Sequence, residues 1–429
     1  MSLLTALNTG VSGLRSFGDS LQIISDNIAN VSTTAYKSSR ASFSDLVSQT
    51  INGASGSSQL GRGVTLNNIS TSYSQGSLSS TDNLTDLAIN GNGFFMVQKD
   101  GINYYTRNGE FSINKNGELV TNSGMNVLGY QYDANGDPLG TIGALQFANN
   151  TIAPIVTGDG TNGSGVKIYA NLDSSADVLT FSTTDPANTS NFSTSINVYD
   201  SLGTSHTLHV YFNKTGTNSW SWHGLMDGGE LQGGTAGTNV ECASGTLSFN
   251  SSGALQTSTT TASSFNFTGT AQTIGFNFGD SLAAGGTGLG GSTQFSSASA
   301  ITSQTQDGLP AGTLNSVQID SDGTVSGVYS NGCTIPIGEI ALANFTNLNG
   351  LYKAGSGLYQ ETLASGSAVV GHADASGLGT ISSYSLEQSN VDLATEFVNM
   401  ISIQRAYQAN SRTITVGNDM LSDLINIIR

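Results

Sequence analysis

Charge is the scarcest property of this chain. Lys, Arg, Asp and Glu make up 10% of its 429 residues, against about a quarter in an ordinary soluble domain. The little charge present leans acidic, 13 basic against 30 acidic residues for a net −17. No basic stripe is available to neutralise phosphates, which excludes nucleic acid as a partner and disfavours an anionic membrane surface. No apolar run reaches the roughly eighteen residues a membrane helix needs, so no membrane insertion is expected. Two cysteines, Cys242 and Cys333, are too few for a disulfide framework. Two unpaired thiols are expected, with a single bridge left open for an extracellular setting. The opening, MSLLTALNTGVSGLRSFGD, lacks the basic, apolar and cleavage regions of a Sec signal peptide.

Site chemistry is equally thin. Gly286, Gly288 and Gly291 fit G-x-G-x-x-G, but a Ser/Thr-rich stretch follows where a phosphate cradle needs a helix N-terminus. His206 and His209 are expected on opposite faces of a strand, without a supporting ligand set for zinc. Asp133, Asn135 and Asp137 resemble the start of a calcium loop, yet Pro138 stands where the loop needs glycine, so a plain turn is expected. No nucleophile, acid–base pair, cofactor site or metal site emerges, and no enzyme is expected.

What the chain does have is a seam at each end. Leu7, Leu14, Leu21 and Ile28 recur every seven residues, with Leu3, Phe17, Ile24 and Val31 forming a second line. Gly10, Gly13 and Gly18 lie inside this stretch, each costing about 1 kcal/mol in a helix interior, so the helix is marginal alone. From Ser389 to Arg429, Leu393, Met400, Tyr407, Ile414, Leu421 and Ile428 repeat the same spacing without a proline. Ser389 with Asp392 reads as a capping box, Glu396 lies near the positive end of the dipole and Arg429 at the negative end. At 1.5 Å per residue this helix would run roughly 60 Å, long enough to need a partner. The two ends are expected to pair, their outer faces packing on other copies.

Between them the chain is rich in glycine, 54 residues, and in β-turn signals. Residues 38–80 read as an irregular or short-hairpin connector. Leu84–Val97, Tyr104–Phe111 and Phe111–Val120 each read as strand, polar or Asn-Gly turn, strand. From about 145 short strands are expected at Val166–Tyr169, Ser195–Tyr199, Thr207–Phe212, Ser219–Trp222 and Phe276–Phe278, as in a β-sandwich or barrel. A strand pattern returns from about 305 to 385.

Several phrases carry a family resemblance. The N-terminal seam followed by Asn27-Ile-Ala-Asn30 and Tyr36-Lys37, the inner phrases DLAINGNGFFMV and YTRNGEFSIN, and the C-terminal Asn390-Val-Asp-Leu393 through Arg412 resemble the bacterial flagellar rod and hook proteins. That family usually has glycine before the aromatic residue where this chain has Ala35, so a difference in that turn is expected. Distal rod members are far shorter and carry one β domain, whereas the insert here resembles the outer domain of hook members.

The resemblance implies a mixed fold, with long N- and C-terminal helices forming a coiled-coil-like inner domain and two mainly-β domains. The expected layout is a helix at 1–37, a connector at 38–80, an inner β domain at 81–144 and 305–388, an inserted outer β-sandwich or barrel at 145–304, and a helix at 389–429. It further implies a structural subunit that polymerises into a curved tube, a universal joint between rod and filament that encloses an export channel. Leu7, Leu14, Leu21, Ile28, Leu393, Met400, Tyr407, Ile414 and Leu421 would hold the packing. Implied partners are further copies, rod proteins, the hook cap and the hook–filament junction proteins. The implied location is the extracellular flagellum, reached by type III export. A distal rod protein with an enlarged insert, or a secreted β-rich adhesin or glycan-binding protein, are the rival readings.

Overall fold

The computed structural model describes residues 3–53, 56–133, 135–147 and 151–428. The chain is mainly β with one long helix near each end, α1 (Leu3–Ala29) and α2 (Leu393–Ile428). It divides into two compact units. The described residues of Met1–Ala148, Ser316–Gly327 and Thr334–Arg429 form the first, and those of Asn149–Asn315 and Val328–Cys333 the second.

In the first unit α1 and α2 lie against each other, and two of the three α1 glycines explain how. A Cβ at Gly10 would meet Ile414 at 3.1 Å, and one at Gly13 would meet the Asn410 side chain at 3.1 Å. From the other side, a Cβ at Gly417 would meet Leu7 at 2.8 Å. The helix penalty of these residues is thus exchanged for close backbone approach; Gly18, with nothing within 4 Å, has no such return.

α2 starts later than the capping box suggests. Asp392, not Ser389, caps it: Asp392 Oδ1 accepts from the Ala394 amide at 2.9 Å and Oδ2 from the Thr395 hydroxyl at 3.0 Å. These bonds hold the Asp392 carboxyl below its usual range, the Thr395 hydroxyl contributing most. Ser389 Oγ instead accepts from the Val391 amide at 3.3 Å.

The connector after α1 forms two short antiparallel ladders. Ser39–Asp45 pairs antiparallel with Val64–Thr71, and Gln49–Gly53 with Gly56–Leu60. The first ladder leans on α1 through an edge-on Phe17–Phe43 contact with centroids 6.0 Å apart.

The main sheet of this unit runs Thr334–Ile340, Asn126–Tyr132, Phe94–Lys99, Ile102–Thr106, Leu358–Gln360, Tyr352–Gly355 in hydrogen-bonded order. Phe94 to Val97 are all buried because both faces of the sheet are covered. Phe95 and Val97 join a cluster with Leu87, Ile89 and Val127, while Phe94 and Met96 join Tyr105 and Phe345 on the other side. One turn differs from its sequence signal. Asp100-Gly101, both at positive φ, joins Phe94–Lys99 to Ile102–Thr106, and Asn108-Gly109 is no hairpin. Gly109 is instead a crossing point: its carbonyl accepts from the Leu87 amide at 3.0 Å, and a Cβ there would collide with Leu87 O.

The second unit holds a five-stranded antiparallel meander, Phe192–Tyr199, Ser205–Gly216, Ser219–Asp227, Asn239–Phe249 and Leu255–Ser263. A three-stranded sheet of Phe276–Asn277, Val166–Asn171 and Ala300–Thr305 shares its core. Trp220 and Trp222, both fully buried, lie in that core with Val166, Ile168 and Phe278. The G-x-G-x-x-G stretch follows a single 3-10 turn, Leu282–Ala284, and opens no helix. Asp133 Oδ1 accepts from the Asn135 and Asp137 amides, which makes its loop a side-chain-closed turn.

Candidate functional site: a buried clasp between the two chain ends

Where α1 ends, Asn27 is buried and closes a two-way bond with the next strand. Its Nδ2 donates to Ser39 O at 2.8 Å, and its Oδ1 accepts from the Ser39 amide at 2.9 Å. Nδ2 also reaches Glu396 Oε1 on α2 at 3.3 Å. Burial pushes the Glu396 carboxyl up, opposed by this bond. Tyr36 donates its hydroxyl to Asp26 at 3.0 Å, and burial with that acceptor pushes its pKa up.

From Ala35 onward the chain ends are tied directly. Ala35 N donates to Glu387 O at 2.7 Å, Asn390 N to Tyr36 O at 3.2 Å, and Ser38 N to Asn390 Oδ1 at 2.8 Å. Ala35 is buried with φ at +56°, the left-handed region that costs a Cβ-bearing residue roughly 1–2 kcal/mol. Alanine thus keeps here the conformation that glycine adopts freely.

Beneath this junction lies an ion cluster. Lys37 Nζ donates to Glu387 Oε1 at 2.6 Å and to Ser74 O at 2.8 Å. Arg107 approaches Glu387 Oε2 at 3.3 Å, donates to Gly91 O at 2.7 Å, and lies 5.4 Å from the Phe94 ring centroid. The Gly76 amide adds a bond to Glu387 Oε1 at 2.8 Å. Side-chain exposure is 1% for Lys37 and 0% for Glu387. Burial pulls both Lys37 and Arg107 below their ordinary values, opposed by Glu387. Two cations thus share one carboxylate, the excess charge facing carbonyl oxygens and an aromatic face. In a chain with 13 basic residues, two meet here. The cluster offers no nucleophile and no open face; what it does is brace the N-terminal arm, the sheet and the entry to α2 against one another.

The residues expected to hold packing fall in two groups. Leu7, Leu14, Leu21 and Ile28 on α1, and Met400, Ile414 and Leu421 on α2, are half-buried. Leu393 and Tyr407, seven residues to either side of Met400 and so on the same line of α2, are 39% and 43% exposed. The shielded line on α2 runs through Met400, Ile403, Ala406, Asn410, Ile414, Gly417 and Leu421, in steps of three or four residues. The clasp itself was only half visible in the sequence. Lys37 and Arg107 sit in the resemblance phrases, but Glu387 belongs to no pattern. Both cysteines are free, and burial pushes the Cys242 thiol up to about 11. Among the described residues no cluster of His, Cys, Asp and Glu fits a metal ion, and no helix is long and apolar enough to cross a membrane.

Comparison with known proteins decides the family. Over 98% of this chain and the whole of the relative, it is 35% identical to the flagellar hook protein FlgE of Salmonella typhimurium. The chain belongs to the flagellar hook protein family. The Escherichia coli hook protein is 34% identical over 98% of this chain, and that of Borreliella burgdorferi 32% over 99%, each covered in full. Family profiles for a flagella basal body rod protein match residues 7–37, and for the flagellar hook protein FlgE/F/G D1 domain residues 88–168. Those for the flagellar basal body protein FlaE D2 domain and the flagellar basal body rod FlgEFG protein C-terminal match 171–309 and 382–427. The crystal structure of Helicobacter pylori hook protein FlgE2 shares the fold, with a TM-score of 0.50 at 16% identity over 71% of this chain and 98% of that one. This hook family member is a structural subunit of the flagellum and not an enzyme; the distal rod and adhesin readings are not favoured.

Proposed function

We propose that copies of this chain stack head-to-tail into a curved tube, with α1 and α2 as a coiled-coil-like inner layer around an export channel and the β units as outer shells. A heterologous contact that does not close on itself generates such an open polymer. The carrying observation is the outer side of α2. Phe397, Val398, Ile401, Val416 and Met420 are 50–64% exposed, on the side of α2 away from its shielded line, along a helix of 36 residues, about 54 Å by rise. Exposed apolar patches toward both ends of one helix are costly in water and are covered when a neighbouring helix lies along them.

In this reading the layout is a helix at 1–37, a connector at 38–80, an inner β domain at 81–144 and 305–388, an outer β-sandwich or barrel at 145–304, and a helix at 389–429. Leu7, Leu14, Leu21, Ile28, Leu393, Met400, Tyr407, Ile414 and Leu421 hold the pair together. Charge-poor β surfaces let neighbours shift past one another at little electrostatic cost, as a universal joint requires. The chain reaches the cell exterior by type III export and meets rod, cap and junction proteins at the tube ends. Electron microscopy of the polymerised protein tests this: curved tubes from the wild type and none from Ile401→Asp are expected. Undiminished tubes from Ile401→Asp overturn the assignment of the outer side of α2 to the contact between copies.

A further inference from the structure

Resting on that self-stacking, we propose that the outer side of α2 docks antiparallel on the open side of α1 of the next copy, with Asp19 facing Arg412 and Asp26 facing Arg405. Each side carries a line of charge in a chain that has little of it. On α2, Val398, Arg405, Arg412 and Asp419 recur every seventh residue opposite the shielded line, and all four are exposed. The two arginines fill the gap between the apolar patches at Val398 and Ile401 and at Val416 and Met420. On α1, Val11, Arg15, Asp19, Gln22 and Asp26 are exposed along one side. None of these charged side chains enters an ion pair among the described residues. Asp26 accepts from the Tyr36 hydroxyl at 3.0 Å and from Asn30 Nδ2 at 3.1 Å, with Lys353 near enough to feel its charge.

The order of the signs sets the register. Inside one copy the helices run antiparallel: Gly10 lies against Ile414, Gly13 against Asn410 and Gly417 against Leu7. Copies that stack head-to-tail keep one polarity, so α1 of one also runs antiparallel to α2 of the next. In the internal register Arg15 would fall between Arg405 and Arg412, and only Asp19 would meet a cation. A shift of seven residues, about 10.5 Å of helix, removes that conflict. Asp19 then faces Arg412, Asp26 faces Arg405, and Arg15 comes within a turn of Asp419. In the same register Val11, 46% exposed, faces Met420, 55% exposed. A second copy is the occupant these signs select, since the chain itself carries both halves at equal spacing. Exposed ion pairs are individually weak, so they choose the register while the apolar ends supply most of the affinity.

Complementary charge reversal tests the contact. One variant carries Arg405→Glu with Arg412→Glu, the other Asp19→Lys with Asp26→Lys. Each alone should need about tenfold more protein to polymerise at low salt, because like charges then oppose each other, and about 0.5 M salt should narrow the gap. Mixed in equal amounts, the two should form tubes near the wild-type concentration, since each α1 finds its opposite on α2 of the other variant. A cross-link leaves the charges in place. In a Cys242→Ser/Cys333→Ser background, Gln22→Cys with Ala409→Cys, which the shifted register brings level, should give a ladder of covalent multimers when tubes are oxidised, and neither single variant should. Three results overturn the contact and leave the stacking reading in place: tubes from either reversal variant alone at the wild-type concentration, no tubes from the mixture although both monomers melt as the wild type does, or oxidised tubes without a ladder. A wild-type chain that forms no tubes removes the stacking reading and this inference with it.

Discussion

Replacing Glu387 by glutamine keeps the shape of the clasp and removes the carboxylate that Lys37 and Arg107 share. Lys37 Nζ lies 2.6 Å from Glu387 Oε1 and Arg107 lies 3.3 Å from Oε2, with both cations almost wholly buried. In the variant two buried positive charges are left with carbonyl oxygens and the Phe94 ring but no counter-ion, and one amide N–H points at a cation. Breaking a buried pair from one side costs about 3–5 kcal/mol. At about 2–4 °C per kcal/mol for a unit of this size, melting should fall by roughly 6–20 °C. Calorimetry on the monomer reads this directly, as a change in the helical unit's transition. A double-mutant cycle with Lys37→Met isolates the pair. The two changes together should cost less than their sum, because removing Lys37 relieves the excess charge that Glu387→Gln exposes. A loss under about 1 kcal/mol for Glu387→Gln, or strict additivity, would refute the view that this carboxylate braces the chain ends.

Three further outcomes follow from the geometry. Ala35→Gly should gain roughly 0.5 kcal/mol by urea titration. It relieves about 1–2 kcal/mol of left-handed strain at +56° and returns about 0.4–1 kcal/mol of chain entropy to the unfolded state. Gly18→Ala should stabilise by about 1 kcal/mol, since nothing lies within 4 Å of its Cβ, while Gly10→Ala, 3.1 Å from Ile414, should gain far less in the same assay. In alkali the chain should lose stability as pH rises from about 10 to about 12. Burial and the nearby Glu361 hold Tyr105 protonated to about 12 in the folded state against 10.0 in the open chain, so the folded state keeps the extra proton in that window. Tyr105→Phe should flatten that part of the pH–melting curve.

The terminal helices and most strands of the second unit were legible because their signals are local. An apolar period of seven, or the alternation of Thr207–Phe212, needs no knowledge of the rest of the chain. Strands Asn239–Phe249 and Leu255–Ser263 were not read from the sequence. The second of them, Thr- and Ser-rich and mostly exposed, draws its place from the hydrogen bonds of its neighbour rather than from buried apolar residues. Asn108-Gly109 misled for a related reason: its glycine answers to Leu87, not to a turn. Ser389 gave way to Asp392 as the cap because the approach to α2 is already fixed by Asn390 bonding Ser72 O and Ser38 N. Glu387 lay beyond any local reading. Its partners Lys37 and Arg107 are 350 and 280 residues away, and no pattern of spacing encodes a meeting at that range.

That separation has a consequence in time. A chain made from its first residue onward holds Arg107 for 280 residues before Glu387 exists, roughly 15 to 60 s at ordinary rates of synthesis. Through that interval two cations wait without their counter-ion, and the first-made part of the protein stays open until nearly the last of it has been delivered.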